Sequence, residues 1–156
     1  MATSTRKTQQ DPHQIIIVRS GFNGLLTYNS PKTGEQFVWD EMGSYQEMEL
    51  GELRTAKNAA KGFFENNWLM FDEEYKWVVE YLGVTQYYKN AVSLEDFDDI
   101  FTKPIDEIES IIKNMSYGQK QTLAYRARQK VVDGEIDSKK VIATLEKSLN
   151  ISLDDK

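Results

Sequence analysis

The chain has 156 residues, 40% hydrophobic and 28% charged, with a formal net charge of −6, a pI near 4.9 and no cysteine. A chain of this length holds one domain or two small subdomains, and it is apolar enough to fold. The missing cysteines exclude disulfides, thiolate zinc sites and cysteine nucleophiles. The acidity argues against indiscriminate nucleic-acid binding by the whole surface, and the longest apolar run, Ile15 to Val18, falls far short of the ~20 residues a membrane helix needs. No signal-peptide apolar region follows the first basic residues, so cytoplasmic synthesis with no membrane partner is the expectation.

Residues 1–14 are rich in Ser, Thr, Gln and Lys and are expected to form a flexible arm that orders only against a partner. From Ile15 the pattern has a period of two. Ile15 to Val18, Leu25 to Tyr28, Phe37 to Trp39 and Tyr45 to Leu50 read as strands of a β-meander, a small antiparallel sheet or SH3-like partial barrel. Pro31 and Gly34 between the second and third runs supply a hairpin turn. Leu53, Ala56, Ala59, Ala60, Phe63 and Phe64 then recur at helical spacing, and Asn66 and Asn67 end that helix. Trp68 to Phe71 reads as a fifth strand, and Tyr75, Val78, Val79 and Leu82 as a helix stopped by Gly83.

Beyond Ser93 the pattern is helical. Ser93 with Asp96 starts a short helix through Leu94, Phe97, Ile100 and Phe101. Pro104 opens the next, whose stripe is Ile105, Ile108, Ile111, Ile112 and Met115. Ser116 with Gln119 opens a basic helix through Leu123, Ala127 and Val131, ended by Gly134, and Ser138 caps a last helix carrying Val141, Ile142, Leu145 and Leu149. The expected fold is therefore α+β: an arm over 1–14, a β-sheet plus helix subdomain over 15–90, and a helical subdomain over 91–156.

Nine of the eighteen aromatic residues (Phe63, Phe64, Trp68, Phe71, Tyr75, Trp77, Tyr81, Tyr87 and Tyr88) fall in one stretch. Each ring can bury roughly 150–250 Å², so the block supplies a core, an anchor surface, or both. Tyr81, Tyr87 and Tyr88 are candidate partner-binding residues, because tyrosine joins an apolar body to a polar tip.

Charge is segregated. Residues 95–109 carry seven acids against the single Lys103, and residues 113–130 carry five bases and no acid. Such a split could orient one copy against another, or reflect a solvated helix face. Lys120, Tyr125, Arg126, Arg128 and Lys130 are the further candidate contact residues. A helix carrying cations beside an aromatic can also lie on a phosphate backbone, which makes a DNA-binding or host-protein-binding regulator acting through residues 116–132 the alternative.

Reactive chemistry is poorly represented. The one histidine, His13, lies in the arm without rigid neighbours to orient a general base. Glu95, Asp98 and Asp99 are spaced to share the outward face of an amphipathic helix, and Asp72-Glu73-Glu74 suits a helix N-terminus. Neither GxxxxGK[ST] nor GxGxxG occurs. The expectation is a non-enzyme with no catalytic, metal or cofactor-binding residues.

Three stretches, Gly24-Leu25-Leu26-Thr27-Tyr28 with Lys32-Thr33-Gly34, Glu52-Leu53-Arg54 through Phe63-Phe64-Glu65-Asn66-Asn67-Trp68, and Gly134-Glu135-Ile136-Asp137-Ser138, resemble those of small structural proteins of tailed bacteriophages, across most of the chain from residue 15. The resemblance implies a particle component of head, neck or tail, made in the host cytoplasm and located in the virion. Its partners would be other virion proteins or copies of itself. It carries no functional residues across.

Overall fold

In a computed structural model, which describes residues 10–153, the fold is α+β: antiparallel sheets followed, among the described residues, by seven α-helices. The chain divides into two compact units between Lys89 and Asn90.

In the first unit the strands are β1 (Ile15–Ser20), β2 (Leu26–Asn29), β3 (Gln36–Trp39), β4 (Tyr45–Glu49) and β5 (Leu69–Met70). Their pairing is not the sequential meander expected from the spacing. β1 is the centre of a β4-β1-β5 sheet, and β2 and β3 form a separate hairpin. The reason lies at the end of β1. The Ser20 carbonyl accepts from Gly43 N and the Ser20 N–H donates to the Ser44 carbonyl, which commits that strand to β4. The Ser20 hydroxyl accepts from Phe22 N (3.0 Å) and stabilises the turn that takes the chain out of the sheet. Period-two burial then sets the register: Ile16 faces across to Met48, and both are buried. The hairpin is tied to the sheet by the Trp39 indole, which donates to the Val18 carbonyl (2.9 Å), and by the Gln46 amide, which donates to the Val38 carbonyl (2.6 Å).

The helix expected through Phe64 is broken in two. α1 (Leu50–Ala59) buries Leu50, Leu53 and Ala56, and the backbone leaves helical geometry at Ala60 (φ −142°, ψ 55°) before the single turn α2 (Gly62–Glu65) buries Phe64. The break lets Phe63 and Phe64 serve different neighbours. Phe22, Trp68, Phe63, Tyr28 and Phe37 form a continuous chain of ring contacts with centroids 5.4–6.0 Å apart. Asn67, at φ 57°, turns the chain into β5, and the buried Gly21 N donates to the Trp68 carbonyl there. A Cβ at Gly21 would lie 2.3 Å from the Asn67 carbonyl oxygen, so only glycine fits this approach. α3 (Lys76–Leu82) ends in a left-handed Gly83 and is followed by the single turn α4 (Thr85–Tyr88).

Of the arm expected over 1–14, residues 1–9 lie outside the described residues. Pro12 and Gln14 are joined to the body, their carbonyls accepting from Gly51 N (2.8 Å) and Leu50 N (2.9 Å).

The second unit has α5 (Ile105–Lys113), α6 (Tyr117–Val132) and α7 (Lys139–Leu149), with α7 packed against both of the others. Phe97, Ile100, Ile108, Ile112, Leu123, Ala127 and Leu145 form its buried centre. Ser116 and Ser138 cap α6 and α7 by accepting from Gln119 N and Val141 N. The helix expected after Ser93 is shorter than its pattern. Asp96 N reaches the Ser93 hydroxyl (3.3 Å), but only a 3₁₀ turn over Asp98–Thr102 follows.

Candidate protein-contact surface

α6 presents its candidate residues on two opposed faces. At about 100° per residue, Tyr117, Gln121, Tyr125, Arg128 and Val132 fall within an arc of about 80°. Gly118, Gln119, Thr122, Leu123 and Ala127, on the other side, are buried. The first set is open: Tyr117 is 70% exposed, Tyr125 50% and Val132 62%. An amphipathic helix seldom spends three large apolar side chains on its outer face, and such patches mark contact sites. Within the stripe the Gln121 amide donates to the Tyr117 hydroxyl (3.1 Å). Lys120, half-buried, flanks it, and Arg128 lies in it, donating to the Ser152 carbonyl (3.2 Å).

Arg126 and Lys130 face elsewhere. The Arg126 guanidinium grips Asp98 with two hydrogen bonds, Nε to Oδ1 at 2.6 Å and Nη2 to Oδ2 at 2.5 Å. Lys130 lies 2.9 Å from Glu135 and 3.9 Å from the same Asp98 carboxylate. The Arg126 hydrogen bonds hold the Asp98 carboxyl below its ordinary range and raise the guanidinium in turn. Asp98 is therefore not on the open face that helical spacing suggested. Part of the segregated charge is neutralised inside this unit. Beside the cluster is a cleft of about 210 Å³ lined by Asp98, Phe101, Lys130, Ile136 and Val141; ligand pockets start at roughly 300 Å³.

Gln119 does not close a capping box with its side chain. Its amide pairs with the Val92 backbone, accepting from Val92 N (3.0 Å) and donating to Val92 O (2.9 Å), as a neighbouring strand would.

Tyr81, Tyr87 and Tyr88 all pack against the core of the first unit. The Tyr88 hydroxyl donates to the Leu69 carbonyl (2.6 Å), and burial pushes it well above the usual tyrosine range. The Tyr87 carbonyl accepts from the buried Asn67 amide (2.9 Å), and Tyr81 meets Trp77 edge to face. His13, exposed, is 3.1 Å from Glu49. Among the described residues no group of three or more His, Asp or Glu side chains is placed to hold a metal ion, and no helix is long and apolar enough to cross a membrane.

The structure thus brings Tyr125, Lys120 and Arg128 to one surface and directs Arg126, Lys130 and Tyr88 inward. Tyr117 and Val132 complete the surface and are absent from the sequence-based candidates. Their spacing from Tyr125, eight residues before and seven after, is the signal that could have found them. No protein-family model matches this chain, and neither a curated protein nor a solved structure does.

Proposed function

We propose that the protein is a non-enzymatic structural or assembly component of a tailed-phage particle, acting through protein–protein contacts. The observation that carries this reading is the exposed Tyr117, Tyr125 and Val132 stripe, an apolar strip with a cationic margin on a helix whose other face is buried. The likeness of residues 24–34, 52–68 and 134–138 to small phage structural proteins supplies the setting. The DNA-binding alternative is weaker, because Arg126 and Lys130 are occupied by Asp98 and Glu135 and only part of the helix's charge is left for phosphates.

Quantitative mass spectrometry of purified particles tests the reading. A fixed copy number, set by particle symmetry, is expected. Absence from particles together with a salt-dependent gel shift by the isolated protein would transfer the assignment to the regulator.

A further inference from the structure

The stripe on α6 is acid-free, since residues 117–132 contain four bases and no Asp or Glu. Residues 33–53 have the opposite character, with six acids and no base. β4 lies within that stretch. Its register with β1 places Tyr45, Glu47 and Glu49 opposite Arg19, Ile17 and Ile15, on the face away from the buried Ile16, Val18 and Met48. Tyr45 is 57% exposed, Ile15 46%, and Glu47 and Glu49 are exposed beside them. Arg19 on this face is already occupied: it donates to Asp72 (3.0 Å) and to the Gly43 carbonyl (3.0 Å) and lies over the Tyr45 ring. His13 sits 3.1 Å from Glu49, which leaves Glu47 as the acid on this face to which no partner is assigned among the described residues.

We propose that the α6 stripe of one copy docks on the outer face of the β1–β4 ladder of a second copy of this chain. The inference rests on the protein-contact reading and names the partner. Two features select this acidic surface over the other, residues 95–109. Charge complementarity fits both, but no large hydrophobic side chain in residues 95–109 is exposed, whereas Ile15 and Tyr45 give the tyrosines of the stripe apolar surface to cover. The lengths also agree. Tyr117 to Val132 spans about 22 Å along a helix, and the six residues of β1 extend about 20 Å. A stripe-to-stripe pairing would instead bring together two acid-free surfaces that both carry Arg128 and Lys120.

A helix stripe about 22 Å long and roughly 10 Å wide is small beside the ~800 Å² per partner of a stable complex. The contact is weak singly and gains strength by repetition. Because the two faces differ, it is heterologous, and it adds copies in sequence toward a ring or filament.

Sedimentation velocity of the full chain over a concentration series, at low and high salt, tests this with the parent, Tyr125→Glu and Glu47→Lys. Both substituted residues are exposed, and unchanged circular dichroism verifies that the variants fold. The parent's average mass is expected to rise with concentration and fall with salt. Each variant alone should need at least about tenfold more protein to associate. Mixed one to one, the variants should form a dimer and nothing larger, because one intact stripe meets one intact ladder. Association of Glu47→Lys at the parent's level, or a mixture that stays monomeric, overturns the proposal. A parent monomeric at every concentration also overturns it, and leaves the assembly reading to the particle measurement.

Discussion

The two units differ in what holds them. The β unit is joined mainly by rings and neutral hydroxyls, the Tyr28 hydroxyl donating to Glu52 (2.8 Å) and that of Tyr88 to the Leu69 carbonyl, with the single-arginine pair Arg19–Asp72 beside them. The helical unit has a mainly aliphatic centre and a charged clasp, Asp98 with Arg126 and Lys130. A neutral hydroxyl and an ionised carboxylate fail at opposite ends of the pH scale. The pattern follows composition: fourteen of the eighteen aromatic residues precede Asn90, and the helical unit is left to build its centre mostly from aliphatic side chains.

The largest effect that sharpens this contrast is expected from Trp39→Ala, which empties a fully buried site and removes the bond to the Val18 carbonyl. A loss of about 3–5 kcal/mol should be read in urea unfolding, with hydrogen-exchange protection falling first in β1 and β3. Gly21→Ala comes next, at about 1–3 kcal/mol, because the new methyl meets backbone at Asn67 rather than a side chain that can yield. In the helical unit Asp98→Asn should cost about 1 kcal/mol. Hydrogen bonds to charged groups are worth more than that, but the partial exposure of this pair reduces the figure.

The pH response follows from the signs. Tyr28 and Tyr88 are raised, Tyr28 by burial first and then by its bond to Glu52, so what they add is complete below the ordinary tyrosine value of about 10 and is lost as pH climbs above it. Asp98 is lowered, chiefly by Arg126, so its contribution is present above the ordinary carboxyl value of about 3.9 and is lost as pH falls through the lower folded value. Alkaline titration should therefore loosen the β unit first, with two tyrosines ionising late in the ultraviolet absorbance, and acid should loosen the helical unit first. The same order of loss at both extremes would break the comparison. The smallest stability effect is expected at Tyr125→Glu, within about 0.5 kcal/mol as for other surface changes, although this substitution should raise the concentration needed for self-association at least about tenfold.

Much of this architecture was legible locally. Pro31 and Gly34 marked the hairpin turn, where Gly34 takes φ 80° and donates to the Ser30 carbonyl. Gly83, Ser116 and Ser138 marked helix ends that formed where expected. What could not be read depended on partners distant in the chain. The pairing of β1 with β4 rather than β2 is decided by Ser20 meeting Gly43 and Ser44. Asp98 has the spacing of a solvated residue until Arg126, twenty-eight positions later, is placed over it. Nothing in the local sequence separates the inward Tyr88 from the outward Tyr125, because both rings end up on helical turns and only the neighbouring elements determine which is covered. The α6 surface was half visible: its cations and Tyr125 stood out by composition, whereas Tyr117 and Val132 required the helix phase fixed by the Ser116 cap.

The role of surface contact is tested most directly by hydrogen-exchange mass spectrometry of the intact protein at low and high concentration. Protection should rise together over residues 117–132 and 45–49 as concentration increases, and stay unchanged over the β2–β3 hairpin. Exchange that is the same at every concentration, or protection that grows elsewhere, would contradict it.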